Sequence, residues 1–310
     1  MNKKGRKILL YTLAGIAALY LLAVAVIPVI AIKLLSNKHV EYSRVFTSQE
    51  AGLPESDTLW LQSADGLRIH TMELKPEGCP KAAIICLTGI ENPSVTYFYG
   101  HARLFRELGM VTLLPEVRGH GRSDGDRICL AYCESADVKA VCDYAIETYG
   151  DIPLIVMGLS MGGAIAIQSI GSNPDIDALI SISGYSSVED VIQSFAGKLI
   201  SRPLAWPMRL SCKLYSSRKF DVNAFKDTPL EAITHLDGRP TLLMHDRFDT
   251  EVPFVCFEKL SAKASAATDR LQTYVVDTDE HFVCSSFGIP EDDTTYFSTV
   301  KDFILNVISD

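Results

Sequence analysis

The chain has 310 residues, 47% of them hydrophobic, and a formal net charge of -9 at pH 7. This is ample for one large core in one or two domains. The acid excess gives no electrostatic reason to seek phosphate backbones, so nucleic acid is excluded as the expected partner.

The first forty residues have the opposite charge. They hold Lys3, Lys4, Arg6, Lys7, Lys33 and Lys38 and no acidic side chain, and Ile8 to Ile32 carries no charge at all. At about 1.5 Å per residue such a helix exceeds the roughly 30 Å hydrocarbon core of a bilayer and can span it with some tilt. Pro28 falls near the far end, where a kink is tolerable. A cleaved signal peptide is the competing reading, but its apolar region runs to about 7–15 residues and ends in a small-residue site. The longer run predicts an uncleaved anchor over residues 1–33. The basic amino end is expected to stay cytoplasmic, placing the body across the membrane. Residues 34–54 read as a polar connector ending at Gly52-Leu53-Pro54.

From residue 55 the pattern alternates. Thr58 to Leu61 and Leu67 to His70 flank Ala64-Asp65-Gly66, a hairpin signal. Short apolar runs follow at 82–87, 111–114, 154–157, 179–182, 241–244 and 273–276, as expected of parallel strands buried on both faces. Helical faces lie between and after them, with Val138, Val141, Cys142, Ala145 and Ile146 on one and Phe297, Val300, Phe303, Ile304 and Val307 on another. The expectation is an α/β fold with one mostly parallel, doubly wound sheet over residues 55–310.

The cysteines (Cys79, Cys86, Cys129, Cys133, Cys142, Cys212, Cys256 and Cys284) contain no C-x-x-C pair, so no metal signature arises. No cofactor is expected. Cys86 and Cys142 read as core residues. Cys129 and Cys133 are close enough to bridge in an oxidising compartment, a pairing the sequence does not favour.

The chemistry centres on Gly158-Leu159-Ser160-Met161-Gly162, which follows the apolar run at 154–157 and precedes a small-residue helix. A serine on a tight strand-to-helix turn is lifted above the sheet, and flanking side chains would collide in the bend. The helix aims its positive end at developing negative charge. Ser160 is therefore the candidate nucleophile.

With that motif the chain resembles the α/β-hydrolase superfamily over roughly residues 57–310. The family order is Ser, then Asp or Glu, then His. His245-Asp246-Arg247-Phe248-Asp249-Thr250-Glu251-Val252-Pro253 is similar to the family's acid loop and implies Asp249 as the acid. Asp246, where glycine is usual, stays a second candidate. Of seven histidines, only His281 lies beyond Asp249, on the loop Asp277-Thr278-Asp279-Glu280-His281 after the run at 273–276, where the family places its base. The resemblance also implies an oxyanion hole from the backbone N–H groups of Met161 and Ile90, the latter in Leu87-Thr88-Gly89-Ile90. Glu116-Val117-Arg118-Gly119-His120-Gly121-Arg122-Ser123 resembles a further loop of the family, in which Arg118 and His120 are expected to be structural.

An insertion over residues 185–235 is expected to form a helical cap. Val188, Val191, Ile192, Phe195 and Leu199 share one helical face, followed by Leu204, Trp206, Met208 and Leu210. This face either lines the substrate pocket or fastens the cap to the main domain. An apolar cap favours an acyl or aromatic substrate. Together these features predict a membrane-anchored serine hydrolase of carboxylic esters or related acyl compounds. The alternatives are a serine peptidase on the same fold and a tethered binding protein without turnover.

Overall fold

The computed structural model describes residues 2–90, 93–278 and 281–309. Within them one sheet holds β1 (Asp57–Gln62), β2 (Arg68–Leu74), β3 (Ala82–Leu87), β4 (Met110–Pro115), β5 (Leu154–Leu159), β6 (Ala178–Ile182), β7 (Thr241–Asp246) and β8 (Leu271–Val276). Their spatial order is β1-β2-β4-β3-β5-β6-β7-β8. β2 pairs antiparallel with both β1 and β4, and every later pair is parallel. The helices, in chain order, are α1 (Lys3–Ser36), α2 (Tyr99–Glu107), α3 (Ser135–Tyr149), α4 (Met161–Ser172), α5 (Val188–Ile200), α6 (Arg202–Ala205), α7 (Met208–Phe220), α8 (Pro229–Ala232), α9 (Val255–Ala267) and α10 (Thr294–Ser309).

The continuous apolar runs become strands that are buried along their whole length from β3 to β7. Side chains alternate between the two faces with the period of two that a strand imposes. Ala83, Ile85 and Leu87 belong to the core on the side of α3, α4 and α9, while Ala82, Ile84 and Cys86 belong to the core on the side of α2 and α10. After β3 the chain moves outward to β4 and then returns across β3 to β5. The crevice above the carboxyl ends of β3 and β5 is thus the switch point at which open α/β sheets bind ligands.

Among the described residues, α1 is the helix long and apolar enough to cross a membrane. Asn2 caps it, its side chain accepting the N–H of Gly5 at 2.8 Å. Pro28 lies inside the helix, which continues to Ser36, beyond the expected boundary at residue 33. Most side chains before Tyr20 are exposed. After it, Val24, Pro28, Ile32 and Ser36 are buried at four-residue spacing, the stripe a helix presents to one neighbour. That neighbour is the cap helix α7.

The segment after α1 is docked through its backbone. The Val40 N–H donates to Gly119 O at 2.7 Å, and Gly121 N–H donates to Val40 O at 2.9 Å. Both ring nitrogens of His39 lie 2.8 Å from carbonyl oxygens, those of Gly125 and Gly121. The glycine-rich loop after β4 therefore works as a clasp. Arg118 fixes the clasp from within, bonding Asp137 with Nη2 at 2.6 Å and Asp65 with Nη1 at 2.7 Å. His120 is buried, and burial pushes its pKa down to about 4, so it stays neutral in the loop.

The cap consists of α5, α6 and α7. Ser187 caps α5 by accepting the Asp190 N–H. Asp190 ties the cap to the body, accepting from Ser186 Oγ at 2.6 Å, from Lys259 Nζ of α9 at 2.6 Å and from Arg209 of α7. The later part of the insertion returns to the main domain. Ala232 O lies where a Cβ on Gly171 of α4 would come within 2.5 Å.

Candidate active site

Ser160 joins β5 to α4 with φ 57° and ψ −118°. Such a backbone conformation costs a non-glycine residue on the order of 1–3 kcal/mol and persists only when the surroundings over-determine it. Here they do. The Ser160 N–H donates to Ile182 O at 2.8 Å, and its carbonyl accepts the Ala164 N–H at 3.1 Å. The two glycines of the motif permit the approach. A Cβ on Gly158 would lie 2.0 Å from Gly162 O, and one on Gly162 would lie 2.1 Å from Leu87 O. The amino end of α4 therefore abuts the carboxyl end of β3. Met161 is the first residue of α4, whose first N–H groups have no intrahelical partner. Ile90, Ser160 and Met161 line one cavity of about 920 Å³.

Asp249 and His281 meet at the same opening. His281 Nδ1 lies 2.7 Å from Asp249 Oδ2. The other carboxylate oxygen, Oδ1, accepts the N–H groups of Glu251 at 2.7 Å and Val252 at 2.8 Å. These bonds fix the acid's orientation. His281 Nε2 is buried and, among the described residues, has no hydrogen-bond partner. Glu251 Oε2, at 3.6 Å, is too far to provide one. His281 shares the cavity with Ser160. Asp279 and Glu280, which precede His281, lie outside the described residues.

Asp246 is held elsewhere. It accepts the N–H of Phe248 at 2.6 Å and of Thr278 at 2.8 Å, together with the Thr278 hydroxyl. It joins the loop after β7 to the loop after β8 at the point where Asp246 and Val276 are in register.

Three further residues shape the site without a sequence signal. Ser183 Oγ donates to His281 O at 2.6 Å, pinning the histidine loop to the end of β6. His245 Nε2 lies 2.9 Å from Val252 O. Burial pushes its pKa down, which keeps it a neutral brace for the acid loop. Tyr185 lines the cavity, and its buried hydroxyl has no partner among the described residues. A buried polar group left so costs about 1–3 kcal/mol, which a substrate oxygen would relieve.

The cap face resolves toward the pocket. Val188, Val191, Ile192, Phe195 and Leu199 all line the cavity, whereas Leu204, Trp206 and Leu210 are exposed. Cys129 and Cys133 are not bridged to each other in the structure. The Glu134 carboxylate accepts the backbone N–H groups of both Cys129 and Cys133.

Comparison with known proteins agrees with this architecture. The sequence profile of a hydrolase family described as serine aminopeptidase, S33, matches residues 78–236. Mouse monoglyceride lipase is 28% identical over 187 residues, covering 57% of this chain and 61% of that protein. Human monoglyceride lipase is 32% identical over 124 residues, covering 39% and 41%. The chain thus spans under two thirds of the length of these relatives. Among solved structures, a Pyrococcus furiosus esterase superposes with a TM-score of 0.65 at 18% identity, covering 87% of this chain and all of that one. Pyrococcus horikoshii acylaminoacyl peptidase gives 0.61 at 17%, covering 80% and 41%. Matched over half its length by the family profile, the chain belongs to the α/β-hydrolase superfamily as a serine hydrolase of the S33 serine aminopeptidase family.

Proposed function

We propose that this protein is a membrane-anchored serine hydrolase of lipid-like carboxylic esters, with Ser160 as nucleophile, His281 as base and Asp249 as the acid that orients it. One observation carries the reading. The His281–Asp249 pair, 2.7 Å apart, leaves Nε2 without a partner among the described residues, on the same largely apolar cavity that Ser160 lines from its strained turn.

In this mechanism Nε2 takes the Ser160 proton as Oγ attacks the acyl carbon, and the Asp249 carboxylate steadies the imidazolium. The carbonyl oxygen becomes an oxyanion that accepts from the N–H groups of Ile90 and Met161. Collapse expels the alcohol, which takes the proton from Nε2, and an acyl-serine ester remains. Water then attacks that ester with His281 as base, releasing the acid and restoring Ser160. The monoglyceride lipase relatives support a lipid-type acyl substrate, as does the apolar cap face. In the membrane, α1 serves as the anchor, with its basic end on the cytoplasmic side and the hydrolase domain on the other.

A peptidase reading has one observation in its favour. The Glu251 carboxylate stands on the cavity wall beside His281, where an acid would hold a substrate amine. A fluorophosphonate probe, followed by p-nitrophenyl esters beside aminoacyl-anilides, separates the readings. Labelling lost in Ser160→Ala, with turnover of esters only, is the expected result. Turnover of anilides alone would install the peptidase, and an unlabelled unmodified chain would leave only a binding protein.

A further inference from the structure

We propose that the last turns of α1 form one wall of the substrate pocket, and that acyl chains reach Ser160 sideways from the bilayer, between α1 and the cap. This rests on the ester-hydrolase reading for its chemistry, but the wall itself is a matter of geometry.

Ile27, Ala31, Leu34 and Leu35 line the cavity that Ser160 opens into. Their spacing, i, i+4, i+7 and i+8, is that of one helical face. The stripe Val24, Pro28, Ile32 and Ser36, one residue further along, is the buried one. The helix thus turns one strip into protein and the adjacent strip into the pocket. An anchor that merely tethered the domain would have no reason to present either.

Depth supports the sideways route. Ile8 is the first residue after the basic cluster. A hydrocarbon core of about 30 Å takes about 20 helical residues, which carries the far boundary to the neighbourhood of Ile27. The pocket wall begins there. Contact with the cap begins deeper still, because Tyr20 Oη donates to Leu204 O of α6 at 2.9 Å. Tyr20 precedes Ile27 by about two turns, or about 10 Å of helix. Part of the cap therefore lies at the level of the outer acyl layer. Its surface fits that position: Leu199 is 86% exposed, Trp206 is 65% exposed, and Leu204 and Leu210 are also exposed. In water these side chains would form a costly patch. Against lipid they continue the exposed apolar surface of α1, and Trp206 takes the interfacial place such residues favour. The occupant of this surface is the bilayer, and the ligand of the pocket is an acyl chain drawn from it.

The test uses the full chain in phosphatidylcholine vesicles. Hydrolysis of p-nitrophenyl palmitate, held by the bilayer, is compared with that of p-nitrophenyl acetate, which diffuses in water. Ala31→Trp, which fills the wall, should lower the palmitate-to-acetate ratio at least tenfold. Leu34→Glu, at a position 74% exposed and so tolerant of substitution, should do the same. Ile30→Trp, one residue from the wall, should leave the ratio as it is in the unmodified chain. A ratio unchanged in both wall variants overturns the proposal. If the unmodified chain neither labels with a fluorophosphonate nor cleaves either ester, the hydrolase reading falls separately. A bilayer-borne palmitoyl diazirine then decides the wall. Labelling within residues 27–35 that palmitate competes away supports it, and its absence overturns it.

Discussion

Ser160 holds a backbone conformation that only its neighbours make tenable, and Gly162 is the one that packs against β3. Gly162→Ala places a methyl group against the backbone of β3, so α4 must move away from Leu87. Overpacking of this kind costs about 1–3 kcal/mol. It would also shift the Met161 N–H relative to Ile90. The expected outcome is a fall in Tm together with a loss of at least tenfold in kcat, read by calorimetry and ester turnover. A variant with unchanged kcat would show that the contact does not set the oxyanion donors. The two carboxylates after β7 make a sharper contrast. Asp249→Asn should leave the wrong imidazole tautomer and lower kcat by about 10⁴, as in other triads. Asp246→Asn breaks the tie to Thr278 and should act mainly on stability. Reversed costs would exchange the two assignments. At this scale residue type and chain order single out Ser160, Asp249 and His281 in the sequence, and the structure pairs His281 with Asp249 and sets it on one cavity with Ser160. Ser183, His245 and Tyr185 were not legible, because a serine, a histidine and a tyrosine become parts of a site only when the sheet brings β6, β7 and the cap together.

Strands β3 to β7 could be read from their apolar runs, and the structure extends most of them by only one or two residues. For α1 the sequence gives length and apolarity but not orientation. A helix apolar on every side carries no periodicity to separate the face that meets α7 from the face left exposed. The connector was illegible for a different reason. Its docking uses the backbone of Val40, and main-chain hydrogen bonds leave no trace in a polar composition. His39 adds a testable pH dependence to this docking. Its two ring nitrogens both face carbonyl oxygens, an arrangement that needs both N–H groups and therefore the imidazolium. The bond to Gly125 is the main cause of its raised pKa, against some burial. Since the folded value lies above the unfolded one, about 6.5, this stabilisation is fully present below that pH and is lost as pH rises through the raised value. Hydrogen exchange at residues 38–41 should therefore quicken at alkaline pH more in the unmodified chain than in His39→Gln. Equal pH profiles would show that the ring's charge plays no part.

At the scale of the molecule, the orientation proposed for the domain rests on the basic cluster Lys3, Lys4, Arg6 and Lys7, set against Lys33 and Lys38 at the other end of the apolar run. Positive residues favour the cytoplasmic side and acidic ones contribute little. Protease added to intact cells or spheroplasts should digest the hydrolase domain without lysis. Full protection until permeabilisation would put the active site in the cytoplasm. In the first case Cys129 and Cys133 face a compartment where a disulfide persists, and in the second they remain thiols.

The unbroken helix from Lys3 to Ser36 and the clasped segment after it also bear on how the proposed membrane hydrolase would meet its substrate. A loose chain of about 20 residues would let the domain roam some 25 Å from its anchor. With α1 as the proposed anchor, a docked rod permits no such excursion, and the proposed search for substrate becomes two-dimensional. Turnover should then follow the mole fraction of ester within the bilayer rather than its concentration in the bulk. Diluting a long-chain ester with inert phospholipid, at constant total ester, should slow hydrolysis in proportion. A rate indifferent to that dilution would mean that substrate arrives through water.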